Sequence, residues 1–110
     1  MKQYEIWWAS LPQPAGRRPV LLLNRDSAYR YLNKFVAVEI TSNIRNIAVE
    51  VPLGRSEGLS KPCVVSCDNI RTVPKSLLTK RIGQLAPQRH YEVKRAVGHA
   101  LGWSELVDAR

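Results

Sequence analysis

Residues 3–10 alternate in the manner of a strand, with Tyr4, Ile6 and Trp8 on one face. Leu11 to Arg17 is broken by Pro12, Pro14 and Gly16 and reads as a loop. Arg18 to Asn24 is apolar enough for a buried strand. Arg25 to Asn33 mixes polar and aromatic residues and reads as a long hairpin loop. Alternation returns over Lys34 to Thr41, with Val36, Val38 and Ile40 facing one way. Ile47 to Val51 is a short strand. Pro52 to Lys61, with Gly54, Gly58 and three charges, reads as a mobile surface loop. Pro62 to Ser66 is an apolar strand that Asn69 to Val73 continues or restarts. Pro74 to Leu78 suits a short helical turn, and Lys80 to Leu85 a last strand. Val93, Val97, Ala100 and Leu101 keep helical spacing, so a helix is predicted over about 87–101, with Pro87 near its start and Gly102 capping its end. Many short strands and one terminal helix predict a mainly β fold: a small curled antiparallel barrel with a helix packed across it.

The chain has 110 residues, which makes residues 1–110 one domain with one modest core. Its 17 Lys+Arg against 9 Asp+Glu give a net charge of +8, which favours a polyanionic partner. The longest apolar run, Val20 to Leu23, is far too short to span a membrane, and no signal-peptide core opens the chain. A cytoplasmic location is expected. Cys63 and Cys67 are four apart, roughly 13 Å along an extended strand and beyond disulfide reach without a bend. They are expected to be buried thiols. His90 and His99 point to nearly opposite sides of a helix, so no metal site is expected.

The acids Asp26, Glu39, Glu50, Glu57 and Asp68 are isolated in sequence, which disfavours a two-metal nuclease. Both histidines lie in the terminal helix, away from any plausible nucleophile, so a serine triad is weak too. RNA offers an easier reaction. Its own 2′-hydroxyl can attack the adjacent phosphorus if a protein holds the atoms in line and stabilises the charge that develops. Arginine suits that work, because its planar fork grips two phosphate oxygens.

Three blocks bear on this chemistry: Gly16-Arg17-Arg18-Pro19-Val20-Leu21-Leu22-Leu23-Asn24, Val38-Glu39-Ile40-Thr41-Ser42-Asn43, and Cys67-Asp68-Asn69-Ile70-Arg71-Thr72-Val73. In this order, behind Tyr4-Glu5-Ile6-Trp7-Trp8-Ala9-Ser10, they resemble the MazF/PemK family of toxin endoribonucleases. The resemblance runs from about Tyr4 to Leu101 and implies an SH3-like barrel with a C-terminal helix. It implies a metal-independent enzyme, without cofactor, that cuts single-stranded RNA, mostly messenger RNA, leaving 2′,3′-cyclic phosphate and 5′-hydroxyl ends. A homodimer and an acidic, partly disordered antitoxin partner are implied as well.

By the same resemblance Arg18 matches the catalytic arginine before the Pro-Val step, Thr41 the threonine that contacts the scissile phosphate, and Asp68 an aspartate assigned general-base work. Ser42 would assist Thr41. Asp68 could equally hold Arg71 or cap a turn, and Arg71 either contacts phosphate or packs on Asp68. Ser66 stands where some members have an arginine, and the first loop lacks the His or Glu that others carry. Arg25, Tyr29, Arg30, Tyr31 and Lys34 could grip and stack RNA, together with Gln13, Arg17 and the Arg55–Lys61 loop, or form a solvated hairpin with its tyrosines tucked onto the barrel. Trp7 and Trp8 point to opposite faces of one strand, one for the core and the other for a dimer surface. A second function class is a CcdB-like toxin that poisons DNA gyrase by contact and cuts nothing. Such a protein does not need the Arg18–Thr41 pair, and its Trp-Gly-Ile-type end is poorly matched by Gly102-Trp103 followed by seven more residues. An inactive RNA-binding barrel is a third.

Overall fold

The computed structural model describes residues 1–110. Six strands are joined in one antiparallel sheet: β1 (Glu5–Ser10), β2 (Arg17–Leu22), β3 (Lys34–Thr41), β4 (Glu50–Leu53), β5 (Cys63–Pro74) and β6 (Leu78–Gln84). Their order across the sheet is β4-β5-β3-β2-β1-β6. The sheet curls into a half-barrel, with helix α1 (His90–Leu101) laid across it and a short helix α2 (Ser104–Val107) folded back on α1.

The sheet is covered on both sides, which accounts for the unbroken apolar run in β2. Leu21 joins Ile6, Val38, Ile40, Val65 and Leu85 in a core beneath α1, which adds Val93 and Ala96. Val20 and Leu22 point the other way, into a smaller core with Phe35, Ala37 and Val73. A strand buried on both faces loses the polar/apolar alternation that reports an amphipathic one. In β3 the alternation predicted one apolar face; Phe35 and Ala37 fill the second core, while Val36 is exposed.

Three segments differ from the sequence expectation. β4 begins at Glu50 rather than Ile47 and takes in Pro52, which a strand tolerates at the sheet edge, where its missing N–H is not needed. The two expected strands around Cys67 form one, β5, interrupted by a bulge. Val38 pairs with Ile70 and Ile40 with Val65, so the single residue Glu39 faces the four residues Ser66 to Asn69. The predicted mobile loop is pinned: Glu57 is buried, accepts a hydrogen bond from the Gly54 N–H at 2.7 Å, and pairs with Arg89 at 3.4 Å. Arg89 also binds Glu92 and the Pro52 carbonyl, so one guanidinium ties the loop to the start of α1. The helix ends where expected, with Gly102 in the left-handed conformation at φ 72°. His90 at its start stacks on Tyr4, ring centroids 3.6 Å apart.

Cys63 and Cys67 are free thiols, both buried. Burial, helped by the neighbouring Asp68 charge, pushes the Cys67 thiol up to about 12. At pH 8 Cys67 is therefore a thiol and a poor nucleophile. Native Cys67 is expected to resist a maleimide or disulfide reagent for hours and to react once urea unfolds the protein. Fast native labelling of Cys67 would mean that β5 opens locally.

Candidate active site

Arg18, Glu39 and Arg71 share the sheet face that carries the smaller core, one on each of three adjacent strands. Val20 pairs with Glu39 and Ala37 with Arg71, so the three side chains lie on a diagonal across β2, β3 and β5. The Glu39 carboxylate accepts from Arg18 Nη1 at 3.0 Å with one oxygen and from Arg71 Nη1 at 2.9 Å with the other. Its side chain is 14% exposed, those of the arginines about a third. A poorly hydrated carboxylate between two cations holds both and leaves most of each guanidinium's five donors without a protein partner. Arg71 thus pairs with Glu39 and not with Asp68.

The six-residue turn between β1 and β2 holds Arg17 and Arg18 in place. It is closed by the Leu11 N–H on the Gly16 carbonyl at 3.0 Å, with Gly16 at φ 65°. Ala9 and Ser10 then pair with Arg18 and Arg17. Successive residues of a strand face opposite ways. Arg18 joins Glu39, while Arg17 lies over the Trp8 ring, 3.9 Å from its centroid.

β3 runs antiparallel to β2 and ends at Thr41, beside Arg18. Thr41 Oγ1 accepts the Asn43 N–H at 3.1 Å. That bond fixes the hydroxyl and leaves its proton free to donate. The β5 bulge brings Asp68 to the same place. Arg18, Thr41 and Asp68 line one cleft of about 510 Å³, with Asn43, Arg45 and Glu50. Asp68 is exposed and makes no salt bridge, whereas Glu39 is engaged twice. Glu50 braces the loop between β3 and β4 by accepting the N–H groups of Arg45 and Asn46, each at 2.9 Å. Two further clefts open at Arg18. One, of about 350 Å³, holds Arg17, Thr41 and Ser42 with Trp8 and Lys61. The other, of about 520 Å³, runs under the β1–β2 turn past Gln13, Glu39 and Arg71.

Arg17, Arg18, Thr41, Ser42, Asp68 and Arg71 are therefore neighbours. Arg25, Tyr29 and Arg30 are not among them. They sit beyond the far end of β2, roughly 17 Å away along six strand residues, in a segment containing a 3₁₀ turn from Asp26 to Arg30. Tyr29 is buried, edge-on to Phe35 at 4.7 Å, and has no face free for a base. Tyr31 is largely exposed. Trp7 and Trp8 are both half-buried: Trp7 packs beside the smaller core and donates to Glu5, and Trp8 walls the 350 Å³ cleft. Sequence reasoning missed Glu39 and Arg45. A signal for Glu39 exists, since it is a lone acid on the same strand face as Phe35 and Ala37. No three His, Cys, Asp or Glu side chains gather as metal ligands.

A family model described as the PemK-like, MazF-like toxin of type II toxin–antitoxin systems matches residues 2–101. The chain belongs to this family. Among PemK/MazF relatives it is similar to Endoribonuclease MazF3 of Mycobacterium tuberculosis, 39% identical over 88 residues that span 78% of this chain and 85% of that protein. The solved structure of Mycobacterium tuberculosis toxin MazF-mt6 superposes with a TM-score of 0.84 at 36% identity, covering 89% of this chain and 96% of that one. A mycobacterial endoribonuclease solved in complex with its cognate antitoxin gives 0.80 at 25% identity, covering 94% and 96%. The curled sheet with its C-terminal helix is thus the fold of the MazF toxins.

Proposed function

We propose that this toxin is an endoribonuclease that cuts single-stranded RNA without a metal ion, using the RNA's own 2′-hydroxyl as nucleophile. The convergence of Arg18, Thr41 and Asp68 on one cleft, with Asp68 unpaired and Arg18 braced by Glu39, carries this reading. Asp68 takes the proton from the 2′-hydroxyl as its oxygen attacks phosphorus. Arg18 and the Thr41 hydroxyl donate to the non-bridging oxygens, where charge accumulates. The bond to the 5′ oxygen breaks, and that oxygen takes a proton from water. The products are a 2′,3′-cyclic phosphate and a 5′-hydroxyl. Glu39 is a positioning residue: it binds no substrate and fixes the direction of two guanidiniums. Arg71 and Arg45 hold neighbouring phosphates.

The acting form is a homodimer in the cytoplasm, and its antitoxin is an acidic segment that covers the basic clefts. Attraction between a +8 toxin and an acidic partner steers their encounter and weakens with salt. Incubating the protein with a long single-stranded RNA in excess EDTA, then mapping cuts and end groups, tests the reading. Discrete cuts with cyclic phosphate ends support it. Cutting that EDTA abolishes would refute the metal-independent mechanism. Intact RNA, with growth still arrested in cells, would favour the gyrase-poison class.

Asp68→Asn separates the two roles open to that residue. As general base its loss is expected to slow cleavage at neutral pH by about 100-fold or more and to erase the fall in rate on acidification. A purely structural aspartate would leave the shape of the pH profile unchanged.

A further inference from the structure

The 350 Å³ cleft beside Arg18 differs in chemistry from the other two. Its lining joins the apolar side chains of Trp8 and Leu59 to the polar ones of Arg17, Ser42, Ser60 and Lys61. It is at the lower end of the size range of small-molecule pockets, which begins near about 300 Å³. The Arg17 guanidinium lies over the Trp8 ring, 3.9 Å from its centroid, and both residues line the cleft. Single-stranded bases stack on guanidinium planes as well as on rings. No Asp, Glu, Asn or Gln lines this cleft. Lys61, Arg17 and Arg18 can only donate, and the hydroxyls of Thr41, Ser42 and Ser60 are the cleft's side-chain oxygen acceptors, so the charged groups that meet a base edge here are all donors. At one edge position guanine and uracil present a keto oxygen, O6 or O4, where adenine and cytosine present an amino group that needs an acceptor.

We infer that this cleft holds the base next to the cut phosphate, stacked on Arg17, and that it selects guanine or uracil. The inference rests on the ribonuclease reading, because it takes the scissile phosphate to lie at Arg18. Arg17 and Trp8 act together: Trp8 holds the guanidinium against the cleft wall, and Lys61 reaches the keto oxygen from the loop that Glu57 and Arg89 pin down.

The test has two stages. Cut sites are first mapped on a long single-stranded RNA, and the mapped sequence is then made non-cleavable by a 2′-deoxy sugar at the attacking nucleotide. Binding of that oligonucleotide is measured against versions with an abasic site, adenine or cytosine at each position flanking the cut. Wild type is expected to lose about tenfold in affinity for the abasic version at one flanking position, as base stacking on a protein surface is worth. Arg17→Ala and Arg17→Lys should bind the intact and abasic versions alike, the lysine variant because it keeps the charge and loses the plane. Trp8→Phe should keep most of the difference. If cuts map next to adenine or cytosine on both sides, or if the abasic penalty is the same in wild type and Arg17→Lys, the inference fails while the nuclease stands. If the protein neither cuts nor binds RNA, the ribonuclease reading fails and this inference with it.

Discussion

Arg18→Ala is expected to lower the rate of RNA cleavage by about a thousandfold or more while leaving the fold in place. Removing one preorganised donor from the site of developing charge costs about 10² to 10³ in rate in well-studied enzymes. Arg18 is a full cation as well as a donor, so the upper end applies. The stability cost should be small, within about 1 kcal/mol, because the side chain is a third exposed and partly screened by solvent. Glu39 is not left orphaned, since Arg71 still holds its second oxygen at 2.9 Å. Thermal unfolding and single-turnover cleavage, measured on one preparation, check both halves. A variant that cuts within tenfold of wild type would remove Arg18 from the mechanism. Glu39→Gln is a useful companion, since it keeps the shape of the brace and removes its charge. It should slow cleavage less than Arg18→Ala, by weakening the hold on both guanidiniums.

The largest expected effect on stability comes from a residue with no chemistry. A Cβ added at Gly83 would fall inside contact distance of the Glu57 carbonyl oxygen, a backbone atom that cannot turn aside. The facing Gly58 has φ +94° and would meet the Ile82 carbonyl if it carried a side chain. Two glycines thus let the loop after β4 lie directly on β6. Gly83→Ala should cost about 3 kcal/mol, the upper part of the usual range for overpacking, and should lift the loop carrying Leu59 to Lys61. Urea unfolding measures the cost. Limited proteolysis around Arg55 to Lys61 should speed up in parallel. A loss under 1 kcal/mol would mean that the loop moves away freely and is not held by this contact.

What could be read in the sequence was what depends on near neighbours. The helix over 87–101, the buried β2 and the turn that presents Arg17 and Arg18 all follow from local spacing and from proline and glycine. The Arg18–Thr41 pairing was reachable as well, because antiparallel strands place the start of one beside the end of the next. What was hidden depends on register between distant segments. Arg71 lies three residues from Asp68 in sequence, yet the bulge in β5 turns it to Glu39, 32 residues away. The same bulge brings Asp68 to the cleft, and no local pattern announces it. Tyr29 looked like a loop aromatic free to stack on a base, and only the closing of the smaller core around Phe35 removes that face. The loop from Pro52 to Lys61 has the composition of a mobile segment, and it is ordered by a buried carboxylate whose partner, Arg89, lies 32 residues on.

The sheet ends in two strands that have a neighbour on one side only, and such edges invite association between molecules. Here each edge is blunted. β4 is four residues long and contains Pro52, which offers no N–H to an incoming strand. β6 carries Lys80 and Arg81 in its middle, so a second copy laid alongside would bring like charges together. An open half-barrel of this kind is thereby shielded against templating its own fibrils, at one edge by a proline and at the other by positive charge.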